Sequence, residues 1–225
     1  MESVSCIIPA YNEGTRIANV LSAVVSHPLL EEIIVVDDGS TDETQTEAKR
    51  FSNVRVLVQS TNTGKSAAIC AGVLVSTSPL LLFLDADLVG LTQSDVSKLI
   101  FPVLREEADA SISLRGDALL PWRAIGLDYL SGERALRRDL FVEHLDVIAH
   151  LPGFGLESYI NQMLIERNAR VRIVRWANVG HTYKSKKHGI WNGLAGEARM
   201  LANIVETSSI AGSAHQIVEL RRHRV

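Results

Sequence analysis

Apolar residues cluster into short runs in the first part of the chain, at 4–8, 33–36, 54–58 and 80–84, each rich in Val, Ile and Leu, with 33–36 and 80–84 unbroken and a single polar residue, Ser5 or Arg55, in each of the others. Runs of that length without polar alternation suit strands covered on both faces, as in a parallel sheet. Between them lie stretches of helical length, 15–26, 42–51 and 65–76. Ser40 with Glu43, and Thr92 with Asp95, carry the spacing of a capping box and predict two helix starts. Strand and helix patterns alternating in this way predict β-α-β units with right-handed crossovers, hence an α/β fold with a mostly parallel central sheet flanked by helices.

From about residue 108 the pattern loosens. Residues 110–114 predict a strand, 133–139 a helix, 156–167 another helix and 171–176 a late strand. A last amphipathic helix is expected over 190–205, with Trp191, Leu194, Ala195, Ala198, Leu201 and Val205 along one stripe. That stripe suits packing on the sheet, pairing in a homodimer, or lying on a membrane, where Arg221, Arg222 and Arg224 would help. No repeat or linker interrupts the pattern, so one domain is expected over 1–225.

Composition narrows the function classes. A net charge of −3 and an aromatic content of 5% argue against a nucleic-acid partner. Cys6 and Cys70 form no C-x-x-C and read as buried reduced thiols. The N-terminus lacks a basic segment followed by a long apolar stretch, and the run at 80–84 is far short of the ~20 residues of a spanning helix. A cytoplasmic protein is expected, with peripheral membrane contact left open.

Three predicted strands end in unusually polar sequences. The first runs into Pro9-Ala10-Tyr11-Asn12-Glu13, the second into Asp37-Asp38-Gly39-Ser40-Thr41-Asp42, and the fourth into Asp85-Ala86-Asp87. Open α/β sheets bind ligands outside the carboxyl ends of their strands. Carboxylates gathered there repel one another unless a cation or a donor-rich ligand joins them. Asp85 and Asp87 are two apart, so extended backbone sends both side chains to one side. An oxygen-rich set of this kind suits Mg²⁺ or Mn²⁺. Duller roles compete: Ser40 and Asp42 suit a turn and helix cap, Asn12 a cap on the first helix, and Lys65 a first-turn charge. Gly64-Lys65-Ser66 is no P-loop, because Gln59 stands where the earlier glycine belongs.

Ile8-Pro9-Ala10-Tyr11-Asn12-Glu13, Val35-Val36-Asp37-Asp38-Gly39-Ser40-Thr41-Asp42, Asn62-Thr63-Gly64-Lys65 and Phe83-Leu84-Asp85-Ala86-Asp87-Leu88 occur in this order. Together they resemble the N-terminal half of family 2 glycosyltransferases, which have the GT-A fold. A weaker likeness continues through Ser131-Gly132-Glu133-Arg134-Ala135, Gly153-Phe154-Gly155-Leu156-Glu157 and His181-Thr182-Tyr183-Lys184. The resemblance implies a nucleotide-sugar-binding half over 1–107 and an acceptor-shaping half over 108–225. It implies a donor of UDP or GDP type and Mn²⁺ or Mg²⁺ as cofactor.

By the same resemblance Pro9, Ala10, Tyr11 and Glu13 line the nucleoside pocket, and Asp38 hydrogen-bonds the base. Lys65 lies near the base or diphosphate, and Ala86 sits between the two aspartates. Asp85 faces ribose and metal, while Asp87 and His181 ligate the ion. Glu157 is the implied general base, although Ser158 stands where the usual second acidic residue would be. Ser131, Gly132, Glu133 and Arg134 match the acceptor loop of polyprenyl-phosphate sugar transferases and of enzymes that glycosylate 3-phosphoglycerate. Arg134, Arg137 and Arg138 suit an acceptor phosphate or a solvated face. Lys184, with Lys186 and Lys187, suits a loop closing over the diphosphate or mere exposure. Two other readings stand beside the glycosyltransferase: a sugar-1-phosphate nucleotidyltransferase, suggested by Gly14-Thr15-Arg16, and a non-catalytic sugar-nucleotide binder.

Overall fold

The computed structural model describes residues 2–181 and 210–225; the helix expected over 190–205, and Lys184, Lys186 and Lys187, lie outside them. Its strands are β1 Val4–Ala10, β2 Leu30–Asp37, β3 Arg55–Val58, β4 Leu80–Phe83, β5 Leu88–Val89, β6 Ala110–Arg115, β7 Arg134–Arg137, β8 Val171–Trp176 and β9 Gly180–His181. Its helices are α1 Ile17–Val24, α2 Thr44–Lys49, α3 Lys65–Val75, α4 Gln93–Leu104, α5 Leu120–Ile125, α6 Arg138–Val142, α7 Leu145–Ile148, α8 Gly155–Glu166 and α9 Ile210–Arg222. Seven strands form one sheet in the order β3-β2-β1-β4-β7-β6-β8, and β5 pairs with β9 apart from it. Within the large sheet only β7 runs against its neighbours.

Alternate residues of each strand serve opposite cores. Ile7, Ile34, Val36 and Leu81 face a core shared with Ile69 and Val73 of α3, Phe141 of α6, Ile160 and Leu164 of α8 and Leu220 of α9. Cys6, Ile8, Val35 and Leu82 face the other, with Ile17 and Leu21 of α1, Ala48 of α2, and Val96 and Leu99 of α4. Both faces being covered explains the apolar runs. Cys6 and Cys70 are buried and unpaired, as expected. No helix among the described residues is long and apolar enough to cross a membrane.

The structure corrects the helix expected over 133–139. Residues 134–137 form β7, wedged between β4 and β6, with Leu82 opposite Ala135 and Ile112 opposite Arg134. Arg-Ala-Leu-Arg favours helix in isolation, but ladder pairing on both sides outweighs a propensity of a few tenths of a kcal/mol per residue. The helix starts only at Arg138. The Thr92–Asp95 capping box forms at the start of α4, whereas α2 begins without a side-chain cap. At the outer strand residues 223–225 fold back: Val171 N donates to His223 O at 2.9 Å, and Val225 N donates to Val171 O at 3.1 Å.

Candidate active site

The site is built at the carboxyl ends of β1, β2 and β4. After β1 the chain turns through Asn12, whose φ of +56° is left-handed. Three successive amides there donate across to the loop after β2: Asn12 N to Ser40 Oγ at 2.9 Å, Glu13 N to Thr44 Oγ1 at 2.7 Å and Gly14 N to Asp42 Oδ2 at 3.0 Å. Thr41 N returns one bond to Asn12 Oδ1 at 2.9 Å. Ser40 and Asn12 therefore join two loops instead of capping helices, while Asp42 joins them and also accepts from Thr44 N, the first amide of α2, at 3.0 Å.

Asp38 is 3% exposed and uses both carboxylate oxygens locally. It accepts from Thr63 N, Thr63 Oγ1 and Gly64 N at 2.8, 2.9 and 2.8 Å. The carboxylate thus fixes the turn before α3, where an anion is favoured by the helix dipole. Gly64 takes φ +97° in that turn, a conformation suited to glycine. These loops wall a cleft of about 320 Å³ lined by Pro9, Ala10, Tyr11, Glu13, Asp38, Asn62, Gly64, Lys65, Ala68, Asp85, Ala86 and Asp87. Every donor-binding residue expected among the described positions lines it. Glu13 also pairs with Arg16.

Beside the cleft lies a dense group of charges. Antiparallel pairing of β5 with β9 sets His181 opposite Leu88, next to Asp87. Asp117 Oδ2 accepts from His181 N at 2.7 Å and holds that short strand. His181 Nε2 is then 3.5 Å from Asp85 Oδ2, 3.6 Å from Asp87 Oδ1 and 3.6 Å from Glu133 Oε1. Lys65 Nζ bridges Asp85 Oδ1 at 2.7 Å and Glu157 Oε1 at 2.9 Å. Glu157 stands in the first turn of α8 and is 2% exposed.

Each protonation state follows from these neighbours. Burial opposes charge on Asp85, but Lys65 and His181 outweigh it and hold the carboxyl far below its usual range. Burial likewise opposes charge on Lys65, and Asp85 and Glu157 reverse the effect. Burial with the like charge of Asp85 pushes Asp87 up, against His181 and Arg16. Burial opposes charge on His181 too, but Asp85 and Glu133 raise it to about 10.

The 128–134 segment closes the other side. Ser131 is fully buried, and Gly132 lies against the Lys65–Asp85 pair. A Cβ at Gly132 would overlap Lys65 Nζ and come within 2.9 and 3.0 Å of the Asp85 carboxylate oxygens. Glu133 is 0% exposed and pairs with Arg115. Arg134, expected at an acceptor phosphate, is 1% exposed. Its guanidinium donates to Ser131 O at 2.7 Å, Asn161 Oδ1 at 2.7 Å and Tyr129 O at 3.4 Å, so it holds the loop from within. Arg137 pairs with Asp139 and Arg138 with Ser76; Arg137 lies opposite Leu80, at the far end of β4 from Asp85.

Residues outside the expected set complete the group. Arg115, at the end of β6, reaches Asp117, Asp128 and Glu133 together. Burial and the charge of Glu133 raise Asp128 to about 6 despite Arg115. A divalent ion fits this donor set. Asp85, Glu133 and His181 offer ligand atoms all within 4.8 Å of one another. Glu133 Oε1 is buried with no hydrogen-bond partner among the described residues.

Comparison with known proteins follows the same lines. The model of Glycosyl transferase family 2 matches residues 5–154, more than half the chain. A dolichyl-phosphate beta-glucosyltransferase of Trichomonas vaginalis is 38% identical over 173 residues, covering 70% of this chain and 47% of its own. A dodecaprenyl-phosphate galacturonate synthase of Rhizobium johnstonii is 31% identical over 196 residues, covering 80% of this chain and 52% of its own. The chain thus spans about half the length of these curated relatives. Among solved structures, glucosyl-3-phosphoglycerate synthase from Mycobacterium tuberculosis, in complex with Mn²⁺, UDP-glucose and phosphoglyceric acid, superposes with a TM-score of 0.68. That match, at 24% identity, covers 92% of this chain and 79% of the other; it establishes a shared GT-A fold.

Proposed function

Because the chain belongs to glycosyl transferase family 2, we propose that it moves a sugar from a nucleotide-diphosphate donor, a UDP-sugar first, onto a phosphate-bearing acceptor of the polyprenyl-phosphate type. The observation that carries this reading is the meeting of Asp85, Asp87, Glu133, Glu157, Lys65 and His181 from separate stretches beside one cleft. Pro9, Ala10, Tyr11 and Glu13 supply the nucleoside side of that cleft, with Asp38 shaping its wall. Asp85, Asp87 and His181 would hold Mn²⁺ or Mg²⁺, which when bound offsets the charge of the departing diphosphate.

Lys65 keeps a cation fixed between Asp85 and Glu157 and so orients both carboxylates. Glu157 Oε2 has no hydrogen-bond partner among the described residues and is the oxygen suited to meet an acceptor. Toward a hydroxyl it would act as general base, a role worth about 10²–10⁴ in rate. A phosphate acceptor is an anion at neutral pH, its second pKa near 6, and needs no base. Two observations favour the phosphate. The residue after Glu157 is Ser158, whose hydroxyl is turned to Tyr129 Oη at 3.1 Å and Gln216 Oε1 at 3.3 Å. The relatives at 38% and 31% identity are both named for lipid phosphates. Ser131 and Gly132 present the acceptor side, and Arg134 holds them in place. A lipid acceptor also implies peripheral membrane contact and gives Lys184 an anionic partner.

The test is a donor panel read by thermal shift with and without Mn²⁺, followed by transfer assays. UDP-sugar with Mn²⁺ is expected to raise the melting temperature, and sugar to appear on polyprenyl phosphate in preference to 3-phosphoglycerate or a neutral sugar. No shift with any donor, or release of pyrophosphate from a nucleoside triphosphate and a sugar phosphate, defeats the reading.

A further inference from the structure

We propose that Glu133 is a protein ligand of the divalent cation, beside Asp85 and His181, so that the site holds Mn²⁺ before a nucleotide arrives. The inference rests on the metal-dependent transferase reading and adds a residue that this reading does not require. The two oxygens of Glu133 have opposite surroundings. Oε2 accepts three hydrogen bonds, from Ser113 Oγ at 2.7 Å, Ser131 Oγ at 2.8 Å and Arg115 Nη1 at 2.5 Å. Oε1 accepts none among the described residues, and the carboxylate is fully buried.

A buried acceptor left unsatisfied is costly, and more so when charged. Three donors on one oxygen, with no hydrogen bond to its twin among the described residues, describe a carboxylate oriented for something else. What Oε1 faces is the ring of His181, 3.6 Å from Nε2 and beyond hydrogen-bonding distance, and behind it Asp85 and Asp87. The ligand atoms of Asp85, Glu133 and His181 lie within 4.8 Å of one another. Two opposite metal–oxygen bonds of about 2.1 Å span about 4.2 Å, so closing on an ion requires side-chain shifts of about half an ångström.

The surrounding charges make a further carboxylate tolerable. Arg115 neutralises Glu133 from behind, and Lys65 does so for Asp85. Ser113 and Arg115 belong to β6, which is paired on both sides by β7 and β8, so the carboxylate is held by a rigid element. Supporting shells of this kind orient metal ligands. Sites with one or two carboxylates usually recruit substrate phosphates to complete the coordination of Mg²⁺-like ions. Here two carboxylates and an imidazole converge from the protein, with Asp87 Oδ1 beside them at 3.6 Å from His181 Nε2 as a third carboxylate.

The test uses the whole metal-stripped chain and Mn²⁺ alone, followed by calorimetry and by the electron paramagnetic resonance signal of the unbound ion. Wild type is expected to bind one Mn²⁺ without nucleotide, and Glu133→Gln to weaken that binding at least about tenfold. Melting of metal-free Glu133→Gln checks that it folds. Independently of any variant, wild-type crystals soaked in Mn²⁺ should show an anomalous peak at bonding distance from Glu133 Oε1. A peak held by Asp87 and His181 with Glu133 outside bonding distance overturns the assignment, as does undiminished Mn²⁺ binding by Glu133→Gln. If wild type binds Mn²⁺ only together with a UDP-sugar, this inference fails while the transferase reading stands. If it binds neither, both fall.

Discussion

Two polar networks flank the cleft, and they are made of different materials. On the β1–β2 side, backbone amides of Asn12, Glu13 and Gly14 donate to Ser40 and Asp42 on a solvent-facing loop and to the neutral hydroxyl of Thr44 at the start of α2. On the β6–β7 side, Arg115, Asp128, Glu133 and Arg134 are charged and buried. A hydrogen bond near the surface is worth about 0.5–1.5 kcal/mol net, because water replaces a lost partner. A buried charge stripped of its partner costs about 3–5 kcal/mol. The neutral side chains of the donor wall, such as Ser40, should therefore tolerate single substitutions, and the buried charges of the acceptor wall should not.

The largest effect is expected from Arg115→Met, which leaves Glu133 and Asp128 buried without their shared cation. Urea unfolding should show a loss of about 3–5 kcal/mol; a loss under 1 kcal/mol would remove the contrast between the two walls. Next is Gly132→Ala, which drives a methyl group into the Lys65–Asp85 pair. Overpacking of that kind costs about 1–3 kcal/mol, and calorimetry should also find weaker binding of Mn²⁺ with UDP. Unchanged binding would mean that the two walls do not communicate through this contact.

The pH dependence sharpens the comparison at smaller scale. Burial lowers the pKa of His181, but Asp85 and Glu133 raise it overall from 6.5 to about 10. With the folded value above the unfolded one, its contribution is complete below 6.5 and is lost as pH rises toward 10. Asp42 shifts the other way: burial opposes its charge, but the Thr44 hydroxyl and the Gly14 amide hold it below its usual 3.8. Its contribution is present above 3.8 and disappears as pH falls through the folded value. Metal-free melting should therefore weaken on the alkaline side through the acceptor wall and on the acid side through the donor loops. His181→Asn should flatten only the alkaline slope. A saturating divalent ion should abolish that slope, since it replaces the proton on His181 and leaves the ring unprotonated in both states above 6.5. The smallest effect is expected from Ser40→Ala, about 0.5–1.5 kcal/mol by urea unfolding.

The same difference in materials decides what could be read from the sequence. Residues 4–8, 33–36 and 80–84 betray their strands because both faces are covered, and Asp85 and Asp87 follow directly at a strand end. All of that is local. Arg134 to Arg137 is not, since its strand exists only through β4 and β6, from distant parts of the chain. Ser40 is likewise claimed by Asn12, 28 residues away, and its spacing to Glu43 is incidental. Glu133 was legible as part of an acceptor-loop likeness but not as a member of the charged group. One signal did exist: Ser111, Ser113 and Arg115 alternate along a strand otherwise apolar, and polar residues on a buried face require polar partners.

The fold-back at Val171 has a consequence outside catalysis. An unpaired outer strand is a template on which another chain can add by backbone pairing, and β8 is the last strand of the sheet. His223 and Val225 occupy one end of that border. Residues 223–225 therefore cover part of that border, and substitutions that break this pairing, such as Val225→Pro, are expected to show first as aggregation during storage, with turnover in fresh material little changed.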